Sequence, residues 1–281
     1  MVITVLIGRL DNIRVAFPVE TKLRKFNNLW KLKFSGGERM ENGKPVKLVL
    51  PEVKNPILIE GYPGIGLVGH IAANFLAKEL KMDMIGYVES PFLPPMALIL
   101  EGKPNPPLRF YGKDNIIVAV ADIYVPPTLV NEIAKELVNY LSEMKAEKVI
   151  SMGGIGIGFF KEQLEVWGVG SRDELNKELE EKGVKILQYG SIMGMSGKLL
   201  WEASRKGLNA YALMGETFGD RPDPRAAANV LEVVKKLTSL DFSTEPLLQE
   251  ARMIEEQLRK MHEQMEQARQ RAEKQYESLY L

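Results

Sequence analysis

A glycine pattern after an apolar run is the feature of this sequence with the most recognisable chemistry. Gly64, Gly66 and Gly69 follow the run Ile57–Glu60 with the spacing G-x-G-x-x-G. Glycines placed in this way let a backbone turn approach a pyrophosphate at the start of a helix, and an acid about 20 residues later can bind a ribose hydroxyl. Glu89 stands 20 residues after the last of these glycines. The spacing therefore permits a dinucleotide site made of these four residues.

The same glycines also have a purely structural explanation. Glycine at a strand-to-helix turn permits a positive φ and close backbone contact, whatever binds there. Two more glycine-rich turns, at residues 153–158 and 190–197, follow apolar runs as well. If these runs are parallel strands, the turns meet at the carboxyl edge of a sheet, where α/β proteins bind ligands. A nucleotide or small-molecule site at this edge is therefore kept as the alternative function.

Other catalytic patterns are incomplete in this sequence. The chain has no cysteine and two histidines, His70 in the first predicted helix and His262 near the end, which argues against a histidine triad or a zinc site. Ser196 lacks the glycine spacing of a nucleophile elbow, and Leu199 stands where a P-loop carries the hydroxyl that binds magnesium. We predict no catalytic residue, no metal ligand and no cofactor, and hence a protein that is not an enzyme.

The last three residues form a second candidate site. Leu279, Tyr280 and Leu281 read hydrophobic–Tyr–any, with a free carboxylate on the last residue. An aromatic ring beside a terminal carboxylate suits a pocket with an apolar wall and a lysine. We predict that these three residues bind a partner protein.

The elements that must position these residues alternate between strand and helix. Apolar runs that read as strands occur at Lys47–Leu50, Ile57–Glu60, Met84–Val88, Ala97–Leu100, Ile116–Ala121, Val149–Met152, Val184–Tyr189 and Ala210–Met214. Several of these runs are uninterrupted, as in strands covered on both faces. Helical spacings lie between them, which predicts an α/β fold with a mostly parallel central sheet and helices on both faces. The proline-rich region Ala97–Tyr111 is predicted as a hairpin or excursion from that sheet.

Composition and charge exclude several classes of function. The chain has 281 residues, 45% of them hydrophobic and 26% charged, and 37 basic residues balance 37 acidic ones. A net charge of zero gives no general field for nucleic acid or membranes, and no apolar run has the length of a membrane span. Since no cleavable signal is visible, we expect a cytoplasmic protein that binds neither nucleic acid nor membrane.

The two ends of the chain differ from the centre. Residues 1–39 carry eight basic residues against three acidic ones and are predicted to be an irregular appendage, a short extra strand, or an upstream extension that precedes a true start at Met40. Residues 40–240 are predicted to form the core. From residue 241 to 281 a connector leads into a long helical arm, whose apolar seam has heptad spacing at Leu247, Ala251, Ile254, Leu258, Met261, Met265, Ala268 and Ala272. One seam must pair with another helix or pack on the core.

Four segments together resemble a known family. They are GYPGIGLVGHIAANFLAKEL, MGGIGIG, GSIMGMSGKLLWEASRKG and PDPRAAANVLEVVKKL, which occur in this order between about Lys47 and Leu240. They look like the motifs of the proteasome assembly chaperone 2 family, and in particular of its archaeal, PbaB-like members. The resemblance implies a three-layer α/β sandwich like that of phosphorylases and hydrolases, and a self-associating core, tetrameric or pentameric, with projecting C-terminal arms.

The same resemblance implies a partner. In proteasome activators and some assembly chaperones, a hydrophobic–Tyr–any terminus docks between α subunits of the 20S proteasome, and Leu279-Tyr280-Leu281 fits that motif at all three positions. We therefore expect an ATP-independent, proteasome-binding chaperone or activator-like protein. The enzyme or ligand-binding protein built on Gly64, Gly66, Gly69 and Glu89 remains the alternative, and a scaffold whose coiled coil recruits some other partner is a third possibility.

Overall fold

A computed structural model describes residues 45–253 and 256, apart from 159, 160, 162 and 220. The predicted appendage at 1–39, most of the heptad arm and the terminal Leu279-Tyr280-Leu281 lie outside the described residues.

Eleven strands and five helices, followed by the beginning of a sixth, are present in the described part of the chain. The strands are β1 Lys47–Val49, β2 Ile57–Gly61, β3 Asp83–Glu89, β4 Leu98–Leu100, β5 Lys103–Asn105, β6 Leu108–Lys113, β7 Ile116–Ala121, β8 Lys148–Gly156, β9 Val166–Gly170, β10 Lys185–Ile186 and β11 Ala210–Thr217. The helices are α1 Val68–Glu79, α2 Pro127–Glu143, α3 Asp173–Glu181, α4 Gly194–Arg205 and α5 Pro224–Thr238, with one 3-10 turn at Ile65–Leu67. Residues 245–253 are also helical.

Nine of the strands form one sheet in the order β1-β3-β6-β7-β2-β8-β11-β9-β10. Its centre, β7-β2-β8-β11, is parallel, whereas β1, β3 and β6 on one side and β9 on the other join by antiparallel pairs. The predicted α/β class is confirmed, with the parallel strands at the centre of a mixed sheet. The antiparallel strands β6 and β9 had no counterpart in the predicted strand set, and only two residues of the predicted run Val184–Tyr189 are strand.

Helices cover both faces of the sheet and complete three layers. On one face α1, α3 and α5 bury apolar side chains against the strands, and on the other face α2 and α4 do so. The central strands β2, β7 and β11 are buried along their whole length, which explains why they read as unbroken apolar runs. Among the described residues, no helix is long and apolar enough to cross a bilayer.

The start of the C-terminal arm is part of the core. Leu247, the first position of the predicted heptad seam, is buried together with Phe242 against the α1, α3 and α5 layer. Ala251, the second position, is also buried. Lys235 Nζ donates to the carbonyl of Phe242 at 2.7 Å, and Thr244 Oγ1 donates to Glu232 Oε1 at 2.6 Å. Here the seam packs on its own core, one of the two arrangements that the sequence allowed.

Candidate functional site

Two of the three glycine-rich segments lie at the same edge of the sheet. β2 and β8 are parallel neighbours, so the first turn, which follows β2, lies beside the carboxyl end of β8. The second segment, predicted as a turn at residues 153–158, is strand as far as Gly156, the last residue of β8. The third segment, residues 190–197, follows β10, which runs with β9 and therefore against the central strands. It starts from the opposite edge but leads into α4, whose first turn places Ser196 Oγ 3.6 Å from the position of a Cβ on Gly153. The first segment reaches the same strand, since a Cβ on Gly154 would lie 2.3 Å from the carbonyl oxygen of Ile65.

The glycines of the first turn are packed against the protein itself. A Cβ on Gly69 would lie 2.2 Å from the carbonyl oxygen of Met152, and a Cβ on Gly61 would lie 2.0 Å from the carbonyl oxygen of Gly69. Gly66 has φ +62°, and a Cβ there would lie 2.5 Å from Oγ1 of Thr217. These close approaches let α1 sit on β2 and β8. The space that a bound pyrophosphate would need at the second glycine is occupied by a threonine side chain.

Glu89 does not lie beside the three glycines of the dinucleotide pattern. Gly64 faces open space, in contrast to Gly66 and Gly69. Glu89 ends β3, and β7 and β6 lie between β3 and β2, a lateral distance of about 14 Å at the usual strand spacing. Its carboxylate accepts from the Tyr87 hydroxyl at 3.1 Å and lies 3.9 Å from Lys47 Nζ. Glu89 therefore has local partners, far from the glycine turn.

A buried carboxylate lies on β2, immediately before the turn. Glu60 is 1% exposed, and the Ser151 hydroxyl on neighbouring β8 donates to its Oε2. The backbone N–H of Tyr62 donates to the other oxygen at 2.8 Å. The Tyr62 hydroxyl is itself buried, with no hydrogen-bond partner among the described residues. The only sequence signal for this cluster was one acid within the apolar run ILIEG.

Burial changes how Glu60 titrates. It raises the pKa of the carboxyl from its usual 4.5 to about 7, against the smaller lowering effect of the hydrogen bonds from Ser151 and Tyr62. Because the native protein then holds a proton that the unfolded chain has released, the free energy of unfolding decreases as pH rises from about 4.5 to about 7. The slope is at most about 1.4 kcal/mol per pH unit, and the decrease ends above the folded pKa.

The Glu60 effect can be isolated by an isosteric change. In Glu60→Gln, denaturant unfolding followed between pH 4.5 and 8 is expected to lose this downward slope. Subtracting the variant's unfolding free energy from that of the wild type at each pH removes the contributions of the other titratable groups. The difference should retain the downward slope. Identical pH dependence in both proteins would show that Glu60 is ionised throughout and that burial does not control its proton.

A buried arginine holds the loops at the same edge, on the α1 face of the sheet. Arg109 on β6 is 1% exposed, and its Nη2 lies 2.6 Å from Oδ2 of Asp122, the residue after β7. Its Nε donates to the Tyr111 hydroxyl at 3.0 Å and its Nη1 to the carbonyl of Pro106 at 2.9 Å. One guanidinium thereby joins β6, the end of β7 and the segment that enters β6.

His70 lies beside this cluster on α1. Its Nδ1 is 2.9 Å from the carbonyl oxygen of Ala121, which requires the proton on Nδ1, and its Nε2 is 3.8 Å from Asp122 Oδ1. That distance exceeds a hydrogen bond. These contacts orient the imidazole ring of His70, and neither of the two partners is a hydroxyl or thiol nucleophile. Within the part of the chain that the structure describes, no group of three or more His, Cys, Asp and Glu side chains is placed to hold a metal ion.

A second buried acid organises the segment after β8. Glu216 on β11 accepts from Trp167 Nε1 at 3.0 Å, from the backbone N–H of Glu165 at 2.9 Å and from Lys161 Nζ at 2.7 Å. Burial alone would raise the pKa of Glu216, but the hydrogen bonds from Lys161 and Trp167 outweigh it and lower that pKa below its usual range. Lys185 completes the network through Glu165 at 2.6 Å. The network therefore ties the segment between β8 and β9, through Lys161 and Glu165, to strands β9, β10 and β11.

The family follows from comparison with known proteins. The sequence profile of the PAC2 family matches residues 58–262. The chain belongs to the PAC2 family. A protein of Methanocaldococcus jannaschii is 38% identical over 213 residues, which cover 76% of this chain and 88% of that protein. The family resemblance of the glycine and helix motifs is thus confirmed.

Solved structures of PAC2-type proteins agree with the fold. The crystal structure of Pyrococcus furiosus PbaA, an archaeal homologue of proteasome-assembly chaperone, is 74% identical with a TM-score of 0.78, and the match covers 85% of this chain and all of that one. Pyrococcus furiosus PbaB, an archaeal proteasome activator, is 29% identical with a TM-score of 0.69, over 78% of this chain and 99% of that one. Between these two, this PAC2 protein has the higher identity with PbaA.

Proposed function

We propose that this PAC2 protein is an ATP-independent binding protein of the archaeal 20S proteasome, which docks on the α ring and assists assembly. The observation that carries the proposal is the 74% identity with PbaA, a homologue of proteasome-assembly chaperone, over the whole of that chain. The likeness to PbaB, a proteasome activator, supports the same partner. The packed glycine turn agrees with a role that needs no nucleotide.

The C-terminal tripeptide makes the contact. Leu279 fills an apolar niche, Tyr280 packs and hydrogen-bonds in a pocket between two α subunits, and the carboxylate of Leu281 pairs with a lysine of that pocket. Each contact is weak alone. Several arms on one homo-oligomer, a tetramer or pentamer, act together through their raised effective concentration.

The core acts as the platform from which the arms extend. Its described end supports this role, because Phe242 and Leu247 pack the beginning of the arm against the layer that contains α5. Because the base of the arm is fixed on the core, the orientation of the core determines the direction in which the arm extends. The remaining heptad positions could pair arms within the oligomer as a coiled coil. The protein would act in the cytoplasm, where it meets α subunits.

The test is capture of the isolated α ring by immobilised protein. Deletion of Leu279–Leu281 is expected to weaken capture at least about tenfold, because the deletion removes the aromatic anchor and the terminal carboxylate together. Ser278→Ala, adjacent to the motif, is the matched control and should bind as the intact chain does. Mass measurement should give the same oligomeric state for all three proteins. Undiminished capture by the deletion variant would contradict tail docking.

The alternative, an enzyme or binding protein with a nucleotide at the glycine-rich edge, makes a different prediction for the same preparations. It requires saturable thermal stabilisation by NAD that is lost in Gly64→Val, the glycine of the pattern that faces open space. The side chain of Thr217 at Gly66 and the remote position of Glu89 argue against it.

A further inference from the structure

One segment of the core carries three exposed large apolar side chains, Phe92, Met96 and Ile99. Residues 91–106, here called the hairpin arm, connect β3 to β6 and include β4 and β5; none of them is buried. The arm nevertheless carries six large apolar side chains, Phe92, Leu93, Met96, Leu98, Ile99 and Leu100. Phe92 is 65% exposed and Ile99 is 64% exposed. Leu93, Leu98 and Leu100 are partly buried. Exposed apolar side chains grouped in one short segment favour an interaction site.

The hairpin arm lacks the support that such a structure needs. Among the described strands, β4 and β5 pair only with each other. A two-stranded hairpin is marginally stable in water, and a third strand or a packed helix is needed for independent stability. Its base is fixed, because Arg109 Nη1 binds the Pro106 carbonyl and the Asp122 N–H binds the Pro107 carbonyl at 2.9 Å. The arm is therefore held in place at its root, and no other described strand lies along its length.

The two edges of the hairpin differ in their capacity to pair. Glu101 and Gly102 form its two-residue turn, with φ +50° and +74°, as in a type I′ turn. In such a turn the N–H and C=O groups of the flanking pair, Leu100 and Lys103, point towards the opposite strand of the hairpin. The backbone groups of the next pair, Ile99 and Pro104, therefore point away from the hairpin. Proline has no N–H, so the β5 edge is blocked, as at many protected sheet edges. On the β4 edge, the backbone N–H and C=O of Ile99 face no other described strand.

We propose that β4 pairs antiparallel with β4 of a second copy of this chain, about a two-fold axis. The same strand then serves both partners, so the contact is self-complementary and closed. The product is a four-stranded ribbon, β5-β4-β4-β5, with both outer edges blocked by Pro104. This arrangement supplies the missing strand and covers the apolar side chains of both arms, whereas a foreign strand would leave the identical edges of other copies open.

The contact is additional to the self-association that the proposed function requires, and it does not involve the C-terminal tail. In a tetramer with two-fold axes it can lie within the oligomer, whereas with a pentameric ring it would join two rings. Because the ribbon is short, the area buried lies at the low end for specific interfaces, and pairing should depend on protein concentration. Failure of this proposal would leave tail docking intact, since the tests below measure only contact between copies.

The deciding test is a disulfide across the two-fold axis in the full chain, which contains no cysteine. An antiparallel pair centred on β4 places either Leu98 or Ile99 opposite its own copy, with Cα atoms about 4.5–5.5 Å apart, within reach of a disulfide. After mild oxidation, Leu98→Cys or Ile99→Cys is expected to give a covalent dimer in at least tenfold higher yield than Lys103→Cys on the blocked strand. Equal yields at all three positions would overturn the proposal.

A second measurement tests the edge directly. Ile99→Lys places a charge on the open edge without removing a buried side chain, and is expected to weaken contact between hairpin arms at least tenfold, measured as loss of the Leu98→Cys crosslink in the double variant. Met193→Lys, at another exposed apolar residue outside the arm, should leave the crosslink unchanged. A crosslink that survives Ile99→Lys would show that β4 is not the pairing edge.

Discussion

Gly69→Ala is expected to destabilise the core by about 3 kcal/mol, the upper end of the usual cost of overpacking. The new methyl group would lie 2.2 Å from the carbonyl oxygen of Met152 and 3.3 Å from Cα of Gly61, both backbone atoms of central strands. Neither can move without shifting β2 or β8, so α1 must lift from the sheet. The gain of about 1 kcal/mol in helix propensity does not offset this clash. Guanidinium denaturation should report the loss as a lower midpoint with an unchanged slope.

Gly64→Ala is the matched control within the same turn. A Cβ on Gly64 meets nothing within 4 Å, and its φ of −151° suits alanine, so the midpoint should stay within about 0.5 kcal/mol of wild type. The pair separates packing from ligand binding, because a nucleotide site would make Gly64 the sensitive position for binding. Equal destabilisation by both substitutions would contradict the packing explanation for the glycine pattern.

Arg109→Met is expected to cost about 3 kcal/mol, near the low end for breaking a buried ion pair because Asp122 keeps some exposure. The variant leaves the Asp122 carboxylate without its 2.6 Å partner and the Pro106 carbonyl without its donor. It also frees the root of the hairpin arm. We expect a lower denaturation midpoint and faster hydrogen exchange in residues 91–107 than in β2.

Three further variants define the Arg109 effect. Arg252→Met removes an exposed ion pair with Glu245 and should change stability by less than about 1 kcal/mol. Arg109→Lys keeps the charge without the three-way fork and should fall between wild type and Arg109→Met. Adding Asp122→Asn to Arg109→Met should cost less than the sum of the single changes, since the unpaired charge is removed. Additive losses would show that the two residues act independently.

The elements that sequence reasoning predicted well are those specified by nearby residues. The run Ile57–Gly61, the glycine turn and the helical spacing of α1 lie within 23 residues, and each signal is local. The predicted excursion at Ala97–Tyr111 is present as the β4–β5 hairpin, although Leu108–Lys113 returns to the main sheet as β6. β9, VWGVG, is short and contains glycine at its centre, so its strand character depends on pairing with β11.

The buried polar clusters were not predictable for a related reason. Glu60 reads as one acid in an apolar run, and its partner Ser151 is 91 residues away. Arg109 reads as an ordinary surface cation in LRFYGK, and only the turn of the chain after β7 brings Asp122 to it. A buried charge requires a partner, but the sequence does not say which distant residue supplies it.

By itself, the sequence determined the α/β class, the order of the central elements, the absence of cysteine chemistry and the family, because apolar periodicity and contiguous motifs need no long-range information. Only the tertiary structure decided what the glycines face, how the sheet reverses direction at its flanks and which edge of the hairpin arm is open. Those properties depend on contacts between residues far apart in the chain. The same spacing G-x-G-x-x-G can therefore serve a ligand or a helix packed on its strands, and here Met152 and Thr217 occupy the space beside Gly69 and Gly66.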